Sequence, residues 1–153
     1  MSNKVLKIAL PQNEPILGYL PGSKERAALK DELKRRKNTV YDIPQVIHGK
    51  EIRSNNTLDL FPPHELNHKI AHFHQGNGKD VHAAIESCLN ARTKWAATPW
   101  EDRSAIFLKA ADLISGPYRA SINAATMLGQ SKNVFQAEID AACELADFLR
   151  FNV

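Results

Sequence analysis

The chain has 153 residues, of which 43% are hydrophobic and 24% are charged, a composition typical of one globular domain or part of one. Its net charge of +3 is uneven, because residues 1–37 hold nine Lys and Arg against four Asp and Glu. No aromatic residue interrupts the basic stretch at residues 30–37, so we expect no nucleic-acid partner. No run of 18 apolar residues occurs, so we expect no membrane partner.

The two cysteines and the start of the chain bear on its cellular location. Cys88 and Cys143 lie among small apolar neighbours in helical patterns, without the spacing of a disulfide framework, and predict buried, reduced thiols. The first ten residues hold too short an apolar stretch for a secretory signal. No Arg occurs before Arg26, which argues against a transit peptide. We therefore predict a cytoplasmic protein.

Residues 1–40 predict an extended arm followed by one surface helix. Pro11, Pro15, Pro21 and Gly22 fall within the first 22 residues; the prolines remove backbone donors and fix φ, and the glycine disfavours a regular element. Ser23 is placed to cap a charged helix that reaches about Lys37. The apolar stripe of this helix is narrow, so we expect the helix to lie on a surface.

Residues 41–76 predict short strands. Apolar residues flank His48-Gly49-Lys50 on both sides, a pattern typical of a β-hairpin around a glycine turn. A second short apolar stretch, His68 to Phe73, predicts another strand. Pro62-Pro63 excludes a longer element between them.

Residues 77–153 predict four helical segments. The first follows Gly76-Asn77-Gly78 and should bury a stripe at helical spacing, formed by Val81, Ala84, Ile85, Cys88, Leu89, Arg92 and Trp95. The second should run to about Ser115, with Thr98 as its cap, Pro99 at its first turn and Glu101 completing a capping box.

Glycine and proline mark the expected ends of the second and third helices. Gly116-Pro117 should end the second helix and start the third, which Gly129 should close. Ser131 is the expected cap of the last helix. The apolar positions of that helix are Phe135, Ile139, Ala142, Leu145, Ala146 and Leu149.

Four histidines within eleven residues raise the question of a metal site. The prolines before them and the glycines after them favour extended structure, in which His68, His72 and His74 would line one face of a strand, with His64 nearby. No cluster of Cys or carboxylates in the sequence completes a tetrahedral ligand set. We therefore expect solvated strand histidines and no metal.

Neither a nucleophile nor a dinucleotide motif is evident. Cys88 and Cys143 lie inside predicted helices, whereas a reactive cysteine needs an exposed thiolate next to oxyanion donors. Gly76-Asn77-Gly78 precedes a helix but lacks the third glycine of a dinucleotide fingerprint. We assign no catalytic and no cofactor-binding residue.

Three carboxylates, Asp140, Glu144 and Asp147, fall on one face of the last predicted helix. Carboxylates in unlike environments perform acid–base chemistry when their pKa values are driven apart. A carboxylate stripe of this kind is also typical of a solvated helix face. Residue pattern alone does not decide between these two interpretations.

The runs at Pro21–Arg26, Asp102–Asp112 and residues 106–152 resemble the aldehyde dehydrogenase family. The resemblance is to its branch that oxidises glutamate γ-semialdehyde, in equilibrium with pyrroline-5-carboxylate, in proline breakdown. It extends over most of the chain from Pro15 onward and is poor in gaps. Family members are several times longer, so the resemblance implies that this chain is the leading part of an enzyme.

The resemblance implies an α/β fold of the aldehyde dehydrogenase type, with residues 77–153 as the helical part of an incomplete cofactor-binding domain. The complete enzyme is expected to use NAD, to act on a small aldehyde and to form a homo-oligomer. The family's reactive cysteine lies in a Gly-Gln-containing loop beyond this length, so the chain alone should be inactive. The family has a substrate-adjacent glutamate on the last helix, and Glu144 matches it, so we expect Glu144 to lie next to the substrate and Asp140 and Asp147 to have surface roles.

A rival hypothesis is a non-enzymatic helical module that binds a partner protein through its last two helices. It depends on an apolar surface formed by Leu145, Phe148, Leu149 and Phe151. That surface fits a part of a larger enzyme equally well.

Overall fold

The computed structural model describes residues 10–153. The elements in chain order are α1 (Lys24–Lys37), β1 (Tyr41–Ile43), β2 (Gln45–Ile47), β3 (Lys50–Ile52), β4 (Thr57–Leu60), β5 (Ala71–His74), α2 (Gly78–Ala97), α3 (Trp100–Ser115), α4 (Arg119–Gln130), α5 (Val134–Ala137), a π-helical segment (Glu138–Cys143) and α6 (Glu144–Phe151). The predicted order of arm, strands and helices is confirmed. The predicted arm began at residue 1, and residues 1–9 lie outside the described part.

The arm, residues 10–22, forms no helix or strand, as its prolines predict. Ser23 accepts a hydrogen bond from the Arg26 backbone N–H, at 3.3 Å, and caps α1 as expected. Helix α1 packs against α4. A small core lies where these helices meet the arm, built from Tyr19, Leu29 and Ala124. The arm is thus part of the packed structure.

The predicted hairpin is confirmed as the antiparallel pair of β2 and β3. His48 and Gly49 form its two-residue turn, and both have positive φ, at 54° and 70°, as a type I′ turn requires. The other three strands form a second sheet in the order β1-β5-β4. In that sheet β1 runs parallel to β5, whereas β4 is antiparallel to it.

Helix α2 begins with a capping box. The Asn77 side chain accepts from the N–H groups of Lys79, at 2.8 Å, and Asp80, at 3.3 Å. The Asp80 carboxylate accepts in return from the Asn77 N–H at 2.8 Å. Both halves of the motif satisfy donors at the helix start that would otherwise have no partner.

The predicted burial of the α2 stripe is wrong. Val81, Ile85 and Leu89 are 56%, 52% and 58% exposed, and Cys88 is exposed as well. The helix packs mainly against strand β2, which is too short to cover the length of the stripe. The spacing predicted the helix correctly, but the surface that would cover the stripe is not supplied by residues 10–153.

Helix boundaries differ from prediction at the junction of α2 with α3 and at the junction of α4 with α5. Thr98 ends α2 instead of capping α3, and Pro99 precedes α3 without any side-chain cap, so the capping box with Glu101 does not form. Gly129 lies inside α4, which ends one residue later, and Ser131 follows that end with a positive φ of 57°. Ser131 therefore terminates α4 instead of starting the next helix.

Asn133 is the residue that caps the last helical segment. Its side chain accepts from the Gln136 N–H at 2.9 Å, and the Gln136 side chain accepts from the Asn133 N–H at 3.1 Å. Two residues after Gln136 the helix widens into the π-helical segment before returning to α geometry at Glu144. None of the helices in residues 10–153 is both long and apolar enough to cross a membrane.

Replacing Asn77 by alanine should lower the free energy of unfolding by about 1 kcal/mol, because the first-turn N–H groups lose their acceptor. Chemical unfolding followed by circular dichroism measures this change. Asn90→Ala is the matched control, since Asn90 is exposed within the same helix and alanine favours helix. An equal loss in both variants would contradict the role of the cap.

Candidate functional site

A groove of about 760 Å³ is lined by the arm on one side and by the last helical segment on the other, and we call it the arm groove. Its residues are Asn13, Glu14, Ile16, Ile139, Asp140, Cys143, Glu144, Asp147, Phe148 and Phe151. The volume is within the range of small-molecule sites. All three carboxylates predicted to share a helix face line this groove.

Glu144 is exposed in the arm groove. It is the first residue of α6 and follows directly on the π-helical segment. Single π-helical turns are rare within α-helices and recur at functional sites, because the extra residue per turn changes the direction of the side chains that follow. Within residues 10–153, no ion pair or hydrogen bond engages the Glu144 carboxylate.

The other two groove carboxylates have partners within the chain. Asp140 is exposed and pairs with Lys132 at 2.6 Å, in agreement with the predicted surface role. Asp147 is half-buried and accepts from the Asn13 side chain at 2.8 Å and from the Glu14 N–H at 2.7 Å. The predicted surface role of Asp147 is therefore wrong, because Asp147 holds the arm against α6.

A fully buried carboxylate, Glu138, lies 3.7 Å from the sulfur of Cys143, which lines the arm groove. It accepts from the Leu17 N–H at 2.8 Å, from the Tyr19 hydroxyl at 2.7 Å and from the Asn123 side chain at 2.7 Å. The Arg119 guanidinium binds the same carboxylate, with Nε 3.1 Å from Oε1. We call these side chains, Glu138, Arg119, Asn123 and Tyr19, the Glu138 cluster.

The Glu138 cluster keeps its buried acid ionised. Burial raises the pKa of Glu138, but the Arg119 guanidinium and three further hydrogen bonds outweigh it and hold the pKa below the ordinary value. Burial together with the Glu138 charge raises the pKa of Tyr19 to about 12, so this hydroxyl remains a donor at neutral pH. Tyr19 has a positive φ of 50°, a conformation that a bulky residue adopts only where its surroundings enforce it.

A second ion pair extends the cluster to the arm. The Glu14 carboxylate binds Arg119 through one oxygen and Arg150 through the other, each at 2.6 Å. Arg119 also donates to the Pro15 carbonyl at 2.6 Å. The arm is therefore fixed to α4, the π-helical segment and α6 by charge-assisted bonds, which are stronger than bonds between neutral groups.

The two cysteines differ in their surroundings. Cys143 is buried, as predicted, and burial with the nearby Glu138 charge raises the pKa of its thiol to about 11. A thiol of that pKa is protonated at neutral pH and is a poor nucleophile. Cys88 is exposed on α2, so its predicted burial in a core is wrong.

The histidines do not act as one group. His64 contacts the Ser131 hydroxyl at 2.7 Å, and His68, outside any strand, contacts the Lys37 carbonyl at 2.7 Å. His72 and His74 lie on β5, and the parallel pairing with β1 places Asp42 opposite His72. From the sequence we found no carboxylate to complete a ligand set with these histidines, and the sheet supplies one in Asp42.

Asp42 is held by an ion pair as well as by the histidines. Hydrogen bonds from Arg53 and then from His74 lower its pKa to about 2. The carboxylate is therefore ionised at neutral pH. Sequence could not show this contact, because Asp42 and His72 are thirty positions apart and meet only through the sheet.

The Gly76-Asn77-Gly78 turn does not form a dinucleotide cradle. Gly76-Asn77-Gly78 precedes α2, but the Asn77 side chain occupies the first N–H groups of that helix. These are the groups that would face a pyrophosphate at a dinucleotide-binding helix start.

The chain belongs to the aldehyde dehydrogenase family, whose sequence model matches residues 51–153. Among curated relatives, a Delta-1-pyrroline-5-carboxylate dehydrogenase of Agaricus bisporus is 49% identical over 96% of this chain and 27% of its own length. The mitochondrial Delta-1-pyrroline-5-carboxylate dehydrogenase of Homo sapiens is 47% identical over 96% of this chain and 26% of its own length. The chain thus spans about a quarter of the length of the curated relatives it matches.

Solved structures show the same fold. The Delta-pyrroline-5-carboxylate dehydrogenase from Mycobacterium tuberculosis, bound with NAD, superimposes with a TM-score of 0.95 at 43% identity. The match covers 99% of this chain and 28% of that one. The predicted fold class, the leading part of an aldehyde dehydrogenase-like α/β protein, is confirmed.

Sequence reasoning missed the Glu138 cluster. A signal was available, because Glu138 precedes the buried Ala142 by one helical turn and therefore falls on the core-facing side of its helix. A carboxylate at a core position predicts a buried cationic partner. The identity of that partner, Arg119, follows only from the packing of α4 against the π-helical segment.

Proposed function

We propose that the chain is the N-terminal part of an NAD-dependent dehydrogenase that oxidises L-glutamate γ-semialdehyde to L-glutamate. The support is that relatives 45–49% identical to this chain carry the name Delta-1-pyrroline-5-carboxylate dehydrogenase. A structure with that name and a TM-score of 0.95 is bound with NAD. The complete protein would use NAD, act on a small aldehyde and assemble as a homo-oligomer.

We assign residues 77–153 to the helical part of the cofactor-binding domain, residues 41–76 to the strand region and residues 1–40 to the arm and surface helix. Because the described residues offer neither an ionised cysteine in the groove nor a dinucleotide cradle at Gly76-Asn77-Gly78, we expect the chain alone to be inactive. A cytoplasmic location stays a prediction, and several relatives are named as mitochondrial proteins.

The observation that carries the site proposal is the position of Glu144. Its exposed carboxylate points from the end of the π-helical segment into a groove whose other carboxylates, Asp140 and Asp147, have partners in the chain. Glutamate γ-semialdehyde carries an amino nitrogen, and its cyclic form carries an imino nitrogen. A carboxylate beside that nitrogen would form a charge-assisted hydrogen bond, so we propose that Glu144 binds the substrate.

In the complete enzyme, Glu144→Ala should lower kcat/KM for the semialdehyde by roughly 10–100-fold. A hydrogen bond to a charged group contributes about 1.5–3 kcal/mol, and each 1.4 kcal/mol is a factor of ten. The KM for NAD should stay nearly unchanged, because a group that touches only the substrate leaves cofactor binding intact. Steady-state kinetics with both substrates varied measures the two effects separately.

Asp140→Ala is the matched control, since Asp140 is an exposed carboxylate of the same groove that pairs with Lys132. This control should leave kcat/KM within about twofold of the parent, as exposed substitutions usually do. An unchanged kcat/KM of Glu144→Ala for the semialdehyde would contradict the substrate role and indicate that Glu144 is a solvated surface residue. A complete protein with no semialdehyde oxidation at all would overturn the proposed activity itself.

The rival helical module has no support from the comparisons, whose named relatives are dehydrogenases. The apolar side chains on which it was based are partly exposed, with Leu145 at 43% and Phe148 at 59%. Two of them, Phe148 and Phe151, line the arm groove next to Glu144. Their exposure is accounted for by a substrate groove.

A further inference from the structure

Three potential metal ligands meet at the pairing of β1 with β5, outside the arm groove. Asp42 lies on β1, while His72 and His74 lie two residues apart on β5, so both imidazoles project from one face of the sheet. The parallel register sets Asp42 opposite His72. We call these side chains the Asp42 triad.

The distances within the Asp42 triad are short. Asp42 Oδ1 lies 2.9 Å from His72 Nε2 and 2.7 Å from His74 Nε2, and the three potential ligand atoms lie within 4.8 Å of one another. Tetrahedral bonds of the length that Zn²⁺ forms separate its ligands by about 3.3 Å. Each Asp42–His distance would have to open by about 0.5 Å to admit the ion, while the two imidazole nitrogens, within 4.8 Å of each other, would approach its ligand spacing by side-chain rotation.

The Ser54 backbone can hydrogen-bond to His74 both with and without a bound metal. His74 Nδ1 lies 3.0 Å from the Ser54 backbone N and 2.7 Å from the Ser54 carbonyl oxygen. In the tautomer that carries its proton on Nε2, Nδ1 accepts from the Ser54 N–H and Nε2–H donates to Asp42. With Nε2 bound to metal, Nδ1–H donates to the Ser54 carbonyl, the bond that orients metal-binding histidines in proteins.

Burial of His74 and the contact of Arg53 with Asp42 restrict the positions of the three ligand side chains. The His74 side chain is only 9% exposed, while those of His72 and Asp42 are 31% and 37% exposed, so solvent reaches one side. Arg53 Nε holds Asp42 Oδ2 at 2.6 Å, which leaves Oδ1 turned toward the imidazoles. The positive charge of Arg53 opposes cation binding, and we expect it to weaken the affinity without removing the site.

We propose that Asp42, His72 and His74 bind one divalent transition-metal ion, with Zn²⁺ as the preferred ion. Two imidazole nitrogens and one carboxylate oxygen form a borderline ligand set that suits Zn²⁺ and disfavours Mg²⁺ and Ca²⁺, which take oxygen ligands. Three protein ligands leave a fourth position for water. The bound ion would join β1 to β5 independently of the chemistry in the arm groove.

Calorimetric titration of the chelator-treated chain with Zn²⁺ tests the proposal, and Co²⁺ supplies a second readout through its visible absorption. We expect one equivalent of Zn²⁺ to bind and the melting temperature to rise, because a ligand of the native state stabilises it. His72→Ala and Asp42→Asn should each weaken binding at least tenfold, since each removes one of three protein ligands. Mg²⁺ should not compete.

His82→Ala is the control, because His82 is an exposed histidine of α2 whose Nδ1 contacts the Gly78 carbonyl. It should leave the Zn²⁺ affinity unchanged. His72→Gln, with circular dichroism to verify the fold, guards against loss of structure in the alanine variant. The proposal is overturned if Zn²⁺ fails to bind, if Asp42→Asn binds it as tightly as the parent, or if His82→Ala weakens it equally.

Discussion

Replacing Glu138 with alanine should lower the free energy of unfolding by about 3–5 kcal/mol, the cost of breaking a buried ion pair from one side. Arg119, itself 8% exposed, would remain buried with its principal partner removed, and the Leu17 N–H and Asn123 amide would lose their shared acceptor. Urea unfolding of both proteins measures the difference. Glu86→Ala, an exposed change on α2, should alter stability by less than about 0.5 kcal/mol.

The stability that Glu138 contributes should also depend on pH. Because its pKa is lowered in the folded chain, its contribution is fully present above the ordinary value of 4.5 and is lost as pH falls through the lower folded value. Glu138→Gln should therefore show a flatter loss of stability between pH 5 and the acid limit than the parent. Acid-unfolding curves of the same steepness for the two proteins would contradict this pH dependence. A fall of less than about 1 kcal/mol in the unfolding free energy of Glu138→Ala at pH 7 would contradict the stabilising role of Glu138.

The isolated 153-residue chain should self-associate. Val81, Ile85 and Leu89 form a row on α2 and are each more than half exposed, and Phe148 and Phe151 add a second apolar area at α6. Full burial of each such side chain is worth roughly 1.5–3 kcal/mol, so covering even part of this surface favours association. Size exclusion with light scattering should show species larger than a monomer.

A double variant, Ile85→Lys with Leu89→Lys, should shift the chain toward monomer by placing charge in the α2 row. Asn90→Lys is the matched control, because it adds a charge to the same helix at a position that is already polar and exposed. The control should leave the distribution of species unchanged. A sharp monomer peak with a cooperative melt for the parent chain would contradict the expectation.

Local signals in the sequence predicted the elements well. The serine at position 23, the Gly49 turn and the spacing of apolar residues after Asn77 each act within a few residues, so they could be interpreted without knowledge of the fold. Caps were predicted less well, because the side chains of Thr98, Ser131 and Asn133 can all accept from a helix N–H group, and the predicted Ser131 is not the residue that caps the last segment. Packing at each junction decides among them.

The candidate site was only partly predictable, because part of it is formed by residues that are distant in sequence. The shared face of Asp140, Glu144 and Asp147 follows from helical spacing, whereas the arm that closes the groove approaches from more than 120 residues away. Asp147 could therefore not be recognised as an anchor of the arm. The meeting of Asp42 with His72 likewise depends on parallel strand pairing, which no local pattern specifies.

The attachment of the arm to Glu138 has a consequence for the order of events on the ribosome. Leu17 and its acceptor are 121 positions apart, and synthesis proceeds at about 5–20 residues per second, so the arm emerges roughly 6–24 s before its anchor exists. Contacts so distant in sequence form late and slowly. During that interval Tyr19 and Leu17 have α1 but neither α4 nor the π-helical segment to pack against, so the nascent chain presents partly uncovered apolar side chains to chaperones.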